Sequence, residues 1–396
     1  MSVSISVAPD GISMTSAITA AEHNRGMDEY VEIGVDKALS LGNRGPIKYD
    51  ENGKLAPEIL EAYWKHGFYV FEGLVEGAEI DLLRADYDVI LDRAPVDNNA
   101  DVDRLGRPAM GIELARRPYS MIRPLSDPWG GTELLGGRHP HKMSQPKPEG
   151  DVPDKVPFVI SSMCELSDAA LRLYGHPDIL SIAEAINGED FVPFNDATFV
   201  KQAGLGGSVA WHQDGVTHWD APNWDEGIHG FNFQVQLYEC TPYNCLWVLP
   251  ETHKLGKIDI KGRIAENGGS EQLPGAVPLL CQPGDVTIAN RQALHCSFAN
   301  TSPNMRISVT FGFHRYSSVL GQKGALSQDE NATYDDARID DRSSVVQLAI
   351  DARAQFYPED KRYAYAPFIG REDEFRCNAE TKERVLKDYT LKDLSI

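Results

Sequence analysis

The chain has 396 residues and a formal net charge of −21, from 38 basic and 59 acidic side chains. That excess of acid argues against a nucleic-acid or anionic-membrane surface, though not against an acidic small molecule held by local arginines. Six cysteines without a C-x-x-C pair read as reduced thiols of a cytoplasmic protein, not as a disulfide framework or a zinc site.

No secretory signal is expected, because Met1–Glu22 lacks a basic stretch followed by an apolar core. Residues 1–50 read as an N-terminal extension, with a helix near Met27–Leu41. In Ala56–Lys65, Ile59, Leu60, Tyr63 and Trp64 recur at helical spacing, Gly67 stops the run, and Phe68–Phe71 reads as a strand. Glu79–Arg93 repeats the helical pattern. Residues 95–156 are dense in Gly, Pro, Arg and His, and so long an irregular insertion reads either as a lid or as a solvated surface loop.

Helices are expected at Ser167–Tyr174 and Asp178–Ile186. Seven short β runs follow: Thr198–Gln202, Val209–Gln213, Asn232–Tyr238, Leu246–Leu249, Val277–Leu280, Asp285–Ala289 and Ile307–Phe313. Many short strands between Gly/Pro turns predict a mainly β fold with flanking helices, a sandwich or jelly roll, over residues 51–325. Residues 326–396 read as a helical tail packed on that core, with helices near Ser343–Gln355 and Ala379–Asp388.

H-x-D occurs three times. His176-Pro177-Asp178 precedes a helix, where Asp178 reads as its N-cap. His218-Trp219-Asp220 has no β pattern around it. His212-Gln213-Asp214 ends a β run, and strand alternation turns its His and Asp to one side. Two histidines and a carboxylate on β structure are the ligand set of a non-haem Fe(II) site with open positions. Among the 11 histidines, His295 is best placed as the third ligand, because it follows the Pro283–Ile288 turn and strand. Arg306, beyond it, offers a planar fork to a carboxylate.

The order H-x-D at 212–214, N-C-L-W-V-L-P-E-T-H-K at 244–254, P-G-D at 283–285, H-x-S-x-x-N at 295–300 and R-x-S at 306–308 resembles the phytanoyl-CoA dioxygenase family of 2-oxoglutarate oxygenases. The resemblance runs from about Ala56 to Tyr316. It implies a double-stranded β-helix (jelly roll, cupin-like) with Fe(II) held by His212, Asp214 and His295. It also implies that Arg306, helped by Ser308 or Ser297, grips the distal carboxylate of 2-oxoglutarate; Gln234 is a further expected co-substrate contact. O2 would then oxidise a C–H bond of a small organic molecule, by hydroxylation or desaturation, with succinate and CO2 as co-products. A carboxylate at Asp214 leaves no room at iron for halide, which disfavours halogenation.

The chain departs from the family pattern at three places: Asn244 where glycine is usual, Pro250–His253 in place of Pro-Gly-Ser-His, and Gln234 and Gln236 where aromatics are common. Substrate contacts are expected from Arg123, or from Arg116 and Arg117, and from Trp211 and Trp219, with Trp224 nearby. The rival readings are a cupin-like metal-dependent isomerase and a non-catalytic metal- or small-molecule-binding protein. Neither nucleic acid nor membrane is an expected partner, and a homodimer is left open.

Overall fold

The structure, a computed structural model, describes residues 18–215, 219, 230–325 and 332–395. The start of the N-terminal extension, and His218, Asp220, Trp224 and His229, lie outside the described residues. Twelve strands are formed among those described: β1 (Arg44–Gly45), β2 (Phe68–Phe71), β3 (Tyr119–Ile122), β4 (Val156–Ile160), β5 (Val192–Lys201), β6 (Val209–His212), β7 (Gly230–Gln236), β8 (Trp247–Val248), β9 (Val277–Pro278), β10 (Val286–Asn290), β11 (His295–Ser297) and β12 (Arg306–His314).

They make two sheets, ordered β1-β2-β10-β7-β12-β5-β4-β3 and β6-β11-β8-β9. Strands β5 to β12 cross between the sheets in sequence: β5, β7, β10 and β12 fall in the larger one and β6, β8, β9 and β11 in the smaller. That alternation is a double-stranded β-helix with flanking helices, as the strand pattern predicts.

The outer face of the large sheet is sealed by helices. Tyr174 packs edge-on to Phe311 and stacks on Phe313, and the long helix Asp336–Phe356 adds Val345, Val346, Leu348 and Ala349 to the same core. Gly175 lets the two helical layers meet, because a Cβ there would lie 2.4 Å from the Ala349 backbone. The small sheet is covered by the helix Ala20–Ser40. Its Tyr30 stacks on Trp247, and Gly34 admits the indole where a Cβ would stand 2.6 Å from it. No helix among the described residues is long and apolar enough to cross a membrane.

Several elements differ from the sequence pattern for identifiable reasons. The first helix begins at Ala20, not Met27, because Thr19 and Glu22 form a reciprocal capping box that apolar spacing does not reveal. The long tail helix starts at Asp336, capped by Asp335, although five of its first seven residues are charged. Strand β5 extends back through Pro193 and Asp196, across a register shift opposite β12. Strands β3 and β11 and the helix Ile260–Glu266 are too short to show a period. At the second helix pair, His176 and not Asp178 is the N-cap: its Nδ1 accepts from the Asp178 amide at 3.3 Å.

That cap carries a pH dependence. Burial, and then the nearby Arg353, pushes the His176 pKa down to about 3, and an imidazolium could not accept the amide proton. The unfolded chain takes up this proton near pH 6.5, so the contribution is complete above that pH and is lost as pH falls toward 3. Between pH 6.5 and 5 the loss should be on the order of 1–2 kcal/mol. His176→Asn keeps a cap and should flatten this part of the acid slope in urea unfolding at pH 7 and pH 5.

A buried ion pair ties the C-terminal segment to the tail helix. Fully enclosed Arg342 donates from Nε to Asp393 at 3.0 Å and lies 3.9 Å from Asp196, which also accepts from the Tyr389 hydroxyl. Arg342→Ala would leave two enclosed carboxylates without their cation. It should cost about 3–5 kcal/mol in urea unfolding.

Candidate metal centre

Strands β6 and β11 pair antiparallel, with His212 directly opposite His295, so the two imidazoles meet on one face. Their ring centroids are 4.1 Å apart. The chain turns after His212, and Asp214 Oδ1 and Oδ2 come within 3.5 Å of His212 Nε2 and 3.8 Å of His295 Nε2. The three ligand atoms lie within 4.8 Å of one another, and this is the only such set of His, Cys, Asp or Glu side chains among the described residues. Ligand atoms roughly 2.1 Å from an ion, at right angles, stand about 3 Å apart, so the set closes on an ion with small movements.

The hydrogen bonds prepare both rings as ligands. His212 Nδ1 donates to the Ala210 carbonyl and His295 Nδ1 to the Ala293 carbonyl, each at 2.8 Å. A carbonyl can only accept, so each Nε2 keeps its lone pair. Burial, and then His212, pushes the His295 pKa down to about 4, which favours the neutral imidazole a metal needs. Burial opposes ionisation of Asp214, but Arg138 and the imidazoles more than offset it and hold its pKa well below the carboxylate range. Asn232 donates to Asp214 Oδ2 at 2.8 Å, and Arg138 pairs with Oδ1 at 2.9 Å. Two neutral imidazoles, one carboxylate and open positions suit Fe(II).

Beneath the triad lies Arg306, 2 % exposed. Its Nε donates to Ser308 Oγ at 2.8 Å, and its two amino groups donate to Gln234 Oε1 at 3.0 Å and the Asn244 carbonyl at 3.2 Å. Ser308 in turn donates to Gln236. None of Ser308, Gln234 and the Asn244 carbonyl carries a charge. Lys201, the cross-strand partner of Arg306, is pushed by burial, and then by that arginine, well below the usual lysine pKa. The turn in which Asn244 replaces glycine thus supplies a backbone acceptor to Arg306. Glu251, within the Pro250–His253 departure, holds a left-handed φ of 68° that glycine would adopt without strain.

A cavity of about 300 Å³ joins these groups, with His212, Asp214, His295, Ser297, Gln234 and Arg306 on its wall. Trp129, Leu135, Val159, Phe199 and Val209 make it apolar in part, and Arg116, Arg117 and Arg138 reach it from the 95–156 insertion. The expected substrate contacts divide. Arg123 is exposed and does not line the cavity, because β3 ends at Ile122, just before it. Trp211, neighbour to His212 on a strand, faces the opposite way, with Nε1 donating to the Glu271 carbonyl inside a separate core. Trp219 borders an outer pocket with Gln213, Gly215 and Lys257. Cys240 and Cys245 are both buried, and Cys240 faces Cys281 across an antiparallel bridge.

Sequence reasoning passes over Arg138, His139 and Asn232. His139 is fully enclosed and lies 4.2 Å from the His212 ring, with Trp129 on its other side. The signal was local: Gly136 and Gly137 both adopt φ of 69°, a turn that aims the next two side chains inward.

The family model described as phytanoyl-CoA dioxygenase matches residues 63–308. Phytanoyl-CoA dioxygenase 1 of Oryza sativa subsp. japonica is 31% identical over 117 residues, 28% of this chain and 40% of that relative. The chain therefore covers less than half the length of the curated relative it matches. Among solved structures, EctD from S. alaskensis with 2-oxoglutarate and 5-hydroxyectoine aligns with a TM-score of 0.47 and 16% identity, over 71% of this chain and 82% of that one. The non-heme alpha ketoglutarate dependent epimerase SnoN from nogalamycin biosynthesis aligns with a TM-score of 0.42 and 17% identity, over 65% of this chain and 84% of that one.

Proposed function

This chain belongs to the phytanoyl-CoA dioxygenase family, whose model spans more than half of it, and on that premise we propose that it is an Fe(II)- and 2-oxoglutarate-dependent oxygenase acting on a small organic molecule. The observation that carries the reading is one cavity holding a buried two-histidine, one-carboxylate set and an arginine held by the uncharged groups of Ser308, Gln234 and Asn244. A buried cation so placed is a receptor for an anion that arrives with the reaction.

When bound, ferrous iron and 2-oxoglutarate supply the oxidising power, drawn from O2 and from decarboxylation of the keto acid to succinate. The chain's own part is to bind and orient. His212, Asp214 and His295 would hold the metal, the tautomers of the two imidazoles being fixed by the Ala210 and Ala293 carbonyls. Arg306, aligned by Ser308 and Gln234, takes the distal carboxylate of the keto acid, with Ser297 on the same wall. The apolar wall of Trp129, Phe199 and Val209 keeps water from the reacting C–H bond. No protein base is required.

With Asp214 keeping its carboxylate at the metal, hydroxylation or desaturation is the outcome expected. The test is succinate release by purified protein supplied with Fe(II), 2-oxoglutarate and air. Release must require iron, and a panel of candidate substrates should accelerate it. Succinate formation that ignores iron removal contradicts the reading.

A further inference from the structure

Arg138 stands at an unusual place for a basic side chain. The insertion delivers it through Leu135, Gly136 and Gly137, all at left-handed φ, and it borders both the inner cavity and the outer pocket. Its side chain is 16% exposed, one amino group pairs with Asp214 Oδ1 at 2.9 Å, and its Nε is enclosed without a hydrogen-bond partner. Lys257 and Lys261, with Asp259 between them, border the outer pocket beside it, so three cations face one carboxylate there in a chain carrying −21.

The pairing with Asp214 holds only while that carboxylate has no stronger partner. A divalent ion at the triad neutralises Asp214 and repels a guanidinium a few ångströms away. Arg138 would then be a mostly buried cation lacking its anion, which is costly. The charge balance of the loaded site points the same way. Two positive charges on the metal and one each on Arg138 and Arg306 face one negative charge on Asp214 and two on the keto acid. At least one positive charge is left over, and Arg291, near Asp214 but occupied with His314 and Phe194, only adds to it. The cavity wants one more anion.

Resting on the oxygenase reading above, we infer that the substrate is a small anionic molecule, a carboxylate or its equivalent, whose charged group is held by Arg138 beside the metal. Arg138 is thereby a specificity-determining residue. Its exchange of Asp214 for the substrate anion links substrate arrival to the metal's carboxylate ligand.

The test uses the full chain, loaded anaerobically with Fe(II) and 2-oxoglutarate, and first records the visible band of that complex. Benzoate, 3-phenylpropionate and octanoate are then titrated beside their primary amides, following perturbation of the band and, separately, heat of binding. The carboxylates should perturb the band and bind at least 10-fold more tightly than the amides. Arg138→Gln should lose that preference, and Arg138→Lys, which keeps the charge but not the fork, should retain part of it. Equal binding of acids and amides, no response to any carboxylate, or an undiminished preference in Arg138→Gln each overturns the assignment. Loss of the initial band in Arg138→Gln also overturns it, because the residue would then be holding the metal site itself. Absence of that band in the unaltered protein instead removes the oxygenase reading, so the two failures are distinct.

Discussion

Alanine in place of His212 is expected to lower iron- and 2-oxoglutarate-dependent succinate formation by on the order of 1,000-fold, about 4 kcal/mol. The ring is one of the three candidate metal ligands among the described residues, and its Nδ1 bond to Ala210 fixes the direction of the donor nitrogen. Altering a group that merely orients a ligand already costs roughly 10- to 100-fold, so removing the ligand itself should cost more. The side chain lies at the end of β6 and not in the apolar core, so cooperative unfolding should persist. Succinate assays alongside thermal unfolding separate the two effects. Retention of more than a tenth of the activity would remove His212 from the metal.

Alanine in place of Arg306 is expected to act on the co-substrate. KM for 2-oxoglutarate should rise by on the order of 100-fold, about 3 kcal/mol, the usual cost of truncating a buried charge that meets an opposite charge. Stability offers a second readout. Keto acid at 100 times its Kd should stabilise the unaltered protein by about 2.7 kcal/mol, and that gain should vanish in the variant. Arg306→Lys should fall between the two, because an ammonium keeps the charge but cannot serve Ser308, Gln234 and the carboxylate together. An unchanged KM in Arg306→Ala would mean that another group receives the keto acid.

The motif residues were legible because a strand gives each side chain a definite face. His212 and His295 sit opposite one another in a β ladder, and Arg306 and Ser308 share a face of β12, so a two-residue period carries straight to geometry. The same rule misleads for Trp211, whose place next to His212 in sequence guarantees that it points away. Asp214 lies past the end of β6 and reaches the metal site through a turn, with its amide bonded to the Arg291 carbonyl.

What stayed hidden depends on contacts far apart in the chain. Arg138 and His139 lie in an insertion that carries no period of its own, and their roles exist only because the loop folds over β6. Asn232 reads as an ordinary strand residue until Asp214 is set beside it. The charged first turns of Asp336–Phe356 lack an apolar stripe. They are helical because Asp335 caps them and because Arg342 finds Asp393 in the interior. The 95–156 segment pairs Arg138 with Asp214, so this part of the insertion forms the wall of the site and is not a loop standing clear of it.

The most direct measurement is anaerobic titration of the purified chain with Fe(II) and then 2-oxoglutarate, followed by visible absorption. A weak charge-transfer band should appear that saturates at one keto acid per chain, fails to form in His212→Ala and needs far more keto acid in Arg306→Ala. A spectrum unchanged by the keto acid, while iron is bound by His212, Asp214 and His295, would contradict the account.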